Sequence, residues 1–145
     1  MNVNEAIEEV VLLTRSEGRR NQVAFQLELA ENLPLAMADR VQIQQVVMNL
    51  ILNGIQAMSA VSDRQRALTI RTQRGESNKI RVAVQDCGIG IDPGDIERVF
   101  AAFHTTKPDG MGMGLSISRS IVESHGGELW ATPNDGPGVT FRFSL

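Results

Sequence analysis

Three short stretches of this chain hold residues whose types and spacing could do chemistry. Asn49 and Asn53 stand four apart in an apolar run, Asp86-Cys87-Gly88-Ile89-Gly90 sets a carboxylate before two glycines, and Gly110-Met111-Gly112-Met113-Gly114-Leu115 alternates glycine with apolar residues. Residues four apart share one helix face, and a mid-helix Asn is mildly unfavourable because its amide competes for backbone hydrogen bonds. Two on one face therefore ask for a reason. An Asn carbonyl is a hard oxygen donor suited to Mg²⁺, whose other ligands would be phosphate oxygens and water; the plainer alternative is a pair of amides facing solvent or capping a loop. The Asp86 carboxylate can accept from an exocyclic amine such as adenine N6, and its glycines let backbone approach a flat base or adopt positive φ. The alternative there is an Asp capping a strand-end turn. Three glycines ahead of a helix offer N–H groups to an anion. No Gly-Lys-Ser/Thr follows them, and the GxGxG spacing does not follow a strand, so neither a Walker loop nor a dinucleotide fingerprint is present. Read in order, the three stretches imply a nucleotide site with a flexible lid.

The elements that must position these residues are legible as patterns. Ile7, Val10, Val11 and Leu13 predict a helix over about 4–18, ending near Gly18. Alternation predicts strands over 23–29, 68–72 and 80–84, the last two joined through Gly75 to Asn78 as an antiparallel pair. Asp39 is the expected N-cap of a long helix running to about Ala60. From Gly88 to Gly114 the chain has many glycines and little periodicity, and a loop of that length is usually functional or disordered. A helix from about Met113 to Ser124 ends at His125-Gly126-Gly127, and 128–132 with 139–143 form a closing hairpin. Sequential strand pairs needing no crossover, mixed with helices, predict an α+β domain: one mixed, mostly antiparallel sheet with helices on one face.

Composition narrows the function classes. The 145 residues suit one domain, 1–145, with a full core. The net charge of −3 and the scattered arginines exclude a nucleic-acid surface. A single cysteine, Cys87, excludes an internal disulfide and fits a reducing compartment. The opening MNVNEAIEEVVLL has no signal-peptide pattern, and no apolar run is long enough to span a bilayer, so no direct membrane contact is expected.

The order VQIQQVVMNLILNGIQAM, DCGIG, FAAFHTTK, GMGMGLSISRSIVESHGG and GPGVTFRFSL resembles the catalytic and ATP-binding domain of sensor histidine kinases, and TTKPDGMGMGLSISRSIVE is most similar to the FixL and NtrB group. The resemblance implies the Bergerat (GHKL) fold shared with gyrase, Hsp90 and MutL: a two-layer α/β sandwich of about five strands behind three main helices, with ATP between the long helix and a lid at about 90–112. It implies Asn53 as the Mg²⁺ ligand and Asn49 as a phosphate-side, catalytic contact. Asp86 would read adenine, Gly88 and Gly90 would shape its pocket, and Gly110, Gly112, Gly114 and Leu115 would close the phosphate end. Thr105, Thr106 and Lys107 lie in the implied lid within reach of phosphates, Lys107 in a catalytic role. Phe100 and Phe103 either dock on a partner helix or pack on their own domain. The implied partners are a histidine-bearing, homodimeric dimerisation domain and, indirectly, a response regulator, in a cytoplasmic setting. The alternatives are a GHKL-type hydrolysing switch and a non-catalytic nucleotide module. The switch family places a Glu one turn before the magnesium Asn, where this chain has Asn49. Gly54 in place of the usual Ala is expected to cost about 1 kcal/mol of helix stability. Trp130 is expected in the core, and His104 and His125 are expected to be structural.

Overall fold

The computed structural model describes residues 1–100 and 114–145. Its elements run α1 (Val3–Arg20), β1 (Val23–Glu28), α2 (Arg40–Ala57), β2 (Arg66–Arg74), β3 (Ile80–Gln85), α3 (Gly114–Ser124), β4 (Leu129–Pro133) and β5 (Val139–Ser144), with short 3-10 turns at 76–78, 93–95 and 97–100. The five strands form one sheet in the order β1-β2-β3-β5-β4. All pairings are antiparallel except β1 with β2. The mixed, mostly antiparallel sheet is as expected from the sequence. The parallel β1–β2 pair is not: it requires a crossover, and α2 supplies it, because parallel neighbours cannot be joined by a tight turn. The chain is thus a β-α-β unit with two antiparallel hairpins attached.

Strand alternation divides the sheet. Leu68, Ile70, Ile80, Val82, Val84, Phe141 and Phe143 are buried beneath the helices with Ile7, Val10, Ile43, Val47, Leu50 and Ile51. On the outer face one row crosses every strand, Glu28–Arg71–Ala83–Arg142–Trp130. Trp130 therefore lies outside the core, half-buried between the inward-facing Leu129 and Ala131.

Two glycines act differently from their sequence reading. Gly18 does not end α1, which continues to Arg20. It is buried inside the helix because a Cβ would stand 2.6 Å from the Phe25 ring of β1. Gly54 likewise serves packing, since a Cβ there would meet Leu68 Cδ1 at 2.6 Å. Its helix cost is offset by letting α2 seat against β2. Asp39 caps α2 as expected, its Oδ1 accepting from Gln42 N at 3.0 Å. His125 helps hold that end in place, because its Nε2 accepts from Asp39 N at 3.1 Å while Nδ1 stands 2.8 Å from Ile121 O. That pairing fixes the ring as the Nδ1–H tautomer.

Candidate nucleotide site

The site is assembled where α2, the end of β3, the β4–β5 turn and the start of α3 converge. α2 carries Asn49 and Asn53, both half-buried. Asn49 reaches α3, donating from Nδ2 to Ser118 Oγ at 3.1 Å and, more weakly, to Gly114 O at 3.4 Å. Asn49 and the last glycine of the third stretch are thus brought together across 65 residues of chain. Leu115 packs against the core beside them. One residue beyond Asn53, Gly54 faces Asp86: a Cβ there would lie 3.6 Å from Asp86 Cβ and 3.9 Å from its Oδ2.

Asp86 is buried at the end of β3, with only 3% of its surface exposed. Its Oδ1 accepts from Gly88 N at 2.9 Å and from Val139 N at 3.2 Å. Burial of a carboxyl without such donors would be costly. Gly88 runs against α2, where a Cβ would stand 2.4 Å from Ala57 O. Gly90 has φ +81°, and a Cβ on it would lie 3.6–3.9 Å from the backbone of Gly138. Gly138 has φ +96°, and a Cβ on it would stand 2.3 Å from Asp86 O. Only glycine fits where two backbones meet this closely and one is left-handed.

Several contributors carried no sequence signal. Arg64, read only as one of many scattered arginines, donates from Nε to Cys87 O at 2.9 Å and from Nη2 to Gly88 O at 3.0 Å, clamping the turn after Asp86. Asn134, in the turn between β4 and β5, donates from Nδ2 to Asp86 O at 2.8 Å. Ser118 joins Asn49 from a position that reads as an ordinary helix-face serine.

Phe100 packs on its own domain, as one of its two sequence readings has it. It is buried and meets Phe141 edge-on at 6.0 Å between centroids. Arg119 of α3 lies 4.0 Å above its ring and binds Glu97 through Nη1 at 2.9 Å. The guanidinium beside Glu97 holds its carboxyl below the usual carboxylate range, first by hydrogen bonding and then by charge. Phe103, His104, Thr105, Thr106, Lys107, Gly110 and Gly112 lie outside the described residues.

Residues 38–145 match the family described as histidine kinase-, DNA gyrase B-, and HSP90-like ATPase, HATPase_c. The chain belongs to that family. Over 144 residues it is 42% identical to the sensor protein FixL of Bradyrhizobium diazoefficiens, covering 99% of this chain and 28% of FixL. The nucleotide-free catalytic domain of histidine kinase ThkA superposes with a TM-score of 0.87 at 36% identity, covering 100% of this chain and 92% of that one. ThkA in complex with the response regulator TrrA gives a TM-score of 0.82 at 33% identity, covering 100% of this chain and 40% of that one. This HATPase_c chain spans about a quarter of the length of the curated relatives it matches, 28% of FixL and 26% of the sensor protein TdiS of Thauera aromatica. As a HATPase_c domain it has the two-layer architecture expected from the resemblance. No helix among the described residues is long and apolar enough to cross a membrane.

Proposed function

We propose that this chain is the ATP-binding catalytic domain of a sensor histidine kinase, passing the γ-phosphoryl group of ATP to a histidine on a separate dimerisation domain. The observation that carries the reading is the pairing of a buried, backbone-held Asp86 with Asn49 and Asn53 on the helix facing it. Asp86 is the base-reading end, and its acceptor oxygens suit the amine of adenine rather than the carbonyl of guanine. The two asparagines and the start of α3 are the phosphate end.

Asn53 suits Mg²⁺ as a single oxygen ligand. Among the described residues no three His, Cys, Asp or Glu side chains gather as a metal site. A Mg²⁺ ion at Asn53 would be shared with nucleotide phosphates and completed by water. When bound it would neutralise charge on the transferring group. Asn49 stands one turn before Asn53 and is a neutral amide, which cannot take a proton from water. Hydrolysis therefore lacks its base, which favours phosphoryl transfer to a presented side chain over the hydrolysing-switch alternative. His125 is engaged at both ring nitrogens and is not the acceptor. The homodimeric histidine-bearing domain, a response regulator and a cytoplasmic setting belong to the same reading; the ThkA–TrrA complex supports it by showing a relative with such a partner.

The test is calorimetry and turnover on the 145-residue chain. Mg-ATP should bind, GTP should bind at least about tenfold more weakly, the range expected for an unmatched polar edge, and hydrolysis should be negligible. Adding a histidine-bearing dimerisation domain should yield phosphohistidine on that domain. Equal binding of GTP, or rapid hydrolysis by the chain alone, would overturn the proposal.

A further inference from the structure

Beyond β3 and β5, the strand ladder makes an exchange at Asp86. The β3–β5 register runs to Gln85 opposite Thr140, which sets the next residue, Asp86, against Val139. Asp86 N donates to Val139 O at 3.1 Å, as a regular antiparallel pair requires. In such a pair the second bond would run from Val139 N to Asp86 O. Here it does not: Val139 N donates instead to the carboxylate Oδ1 at 3.2 Å. The vacated carbonyl is taken by a side chain, with Asn134 Nδ2 donating to Asp86 O at 2.8 Å.

The Asn134 amide is itself fixed on three sides. Nδ2 also donates to Pro137 O at 3.0 Å, and Oδ1 accepts from Thr140 Oγ1 at 2.5 Å. Its backbone N donates to Gly138 O at 3.1 Å, closing the turn. The two carbonyls only accept and so require the NH₂ on their side, which leaves Oδ1 toward Thr140, whose hydroxyl steadies the amide by donating to it. Thr140 is 4% exposed and Asp86 is 3% exposed, so neither has water as a ready substitute partner.

We infer that Asn134 is a positioning residue for nucleobase selection: by satisfying Asp86 O it releases the Val139 N–H to hold the Asp86 carboxylate at the angle that reads a 6-amino group. The inference rests on the proposed role of Asp86. Without the amide, Asp86 O loses the Asn134 donor, and the ladder regains its regular bond by drawing Val139 N–H away from Oδ1. The carboxylate then loses the Val139 N–H anchor, while the bond from Gly88 N remains.

The experiment compares affinities of the 145-residue chain for ATP and for purine riboside triphosphate, which lacks the 6-amino group. The unmodified chain should prefer ATP. In Asn134→Ala the affinity for ATP should fall about fivefold or more, the worth of one buried hydrogen bond, while purine riboside triphosphate binds within twofold of before. Thr140→Val, which keeps shape and removes the donor, should shrink the preference in the same sense, and Thr140→Ser should restore it. These last two keep the question open to test even if Asn134→Ala fails to fold. Equal weakening of both nucleotides would show that Asn134 merely holds the hairpin and would overturn the inference. So would an unaltered preference in Asn134→Ala or in Thr140→Val. An unmodified chain that does not distinguish the two nucleotides would instead overturn the base-reading role of Asp86, and this inference with it.

Discussion

The two ends of the site are built in opposite ways. At the base end, glycines are forced by neighbours: a Cβ on Gly88 would meet Ala57 O at 2.4 Å, and one on Gly138 would meet Asp86 O at 2.3 Å. At the phosphate end of the proposed site, a Cβ on Gly114 would meet no atom of the described residues within 4 Å beyond its own stretch of helix. The base end is held by backbone amides converging on one carboxylate, the phosphate end by a side-chain amide reaching between two helices. Glycines of similar appearance in the sequence therefore do two jobs. One set lets backbones touch, and the packing of the protein itself requires it. Gly114 carries no such packing demand from the described residues, and its part in the proposed site is to offer an N–H at the start of α3.

The contrast is broken most directly at its glycines, where the largest effects are expected. Gly138→Ala should destabilise the chain by about 2–4 kcal/mol in chemical denaturation, from backbone overlap and a left-handed φ. Gly114→Ala should change stability by no more than about 0.5 kcal/mol and yet weaken Mg-ATP binding. Similar destabilisation in both would abolish the distinction. Next in size, Asn53→Ala should lower Mg-ATP affinity about tenfold, roughly 1.4 kcal/mol, with the fold intact. Unchanged affinity at saturating Mg²⁺ would remove Asn53 from the site. Asn49→Ala should cost about 1 kcal/mol of stability through the lost bond to Ser118, with Ser118→Ala costing no further amount in the double variant. Additive losses would mean that the two side chains act separately.

The smallest effect is a pH dependence near the phosphate end. Glu97 has its carboxyl lowered by Arg119, so its contribution to stability is fully present above the ordinary carboxylate value of 4.5 and fades as pH falls through the depressed folded value. Glu97 is fully exposed, which keeps the effect slight. Comparing thermal midpoints of Glu97→Gln and the unmodified chain between pH 3 and pH 6, a range set by carboxylate titration, should show the difference shrinking toward acid. A constant difference would deny the pair its electrostatic part.

Much of this architecture was legible because alternation and helical spacing report burial locally. The strands at 66–74, 80–85, 129–133 and 139–144 each show an inward apolar series, and α2 begins at its sequence-read cap Asp39. The site motifs were legible because glycine next to a carboxylate is a local signature as well. What escaped is non-local. The parallel β1–β2 pairing depends on where α2 returns the chain, which the Val23–Glu28 segment does not encode. Gly18 resembles a helix stop until Phe25 is seen against it. Asn134 has the composition of any turn, and its reach to Asp86 spans 48 residues.

The bond from Val139 N to the Asp86 carboxylate joins residues 53 apart, which has a consequence for how the protein assembles. The β2–β3 and β4–β5 hairpins close over short loops and can form early, whereas β1–β2 and β3–β5 close long ones and lose more chain entropy before gaining contacts. The base corner exists only after β3 and β5 have met. A partly folded chain that keeps both hairpins has no corner, so nucleotide recognises the finished sheet alone. Ligand concentration then acts on the folding equilibrium by mass action, adding about 2.7 kcal/mol at a hundredfold excess over Kd, and the nucleotide supply of the surroundings becomes a term in how much of the chain is folded.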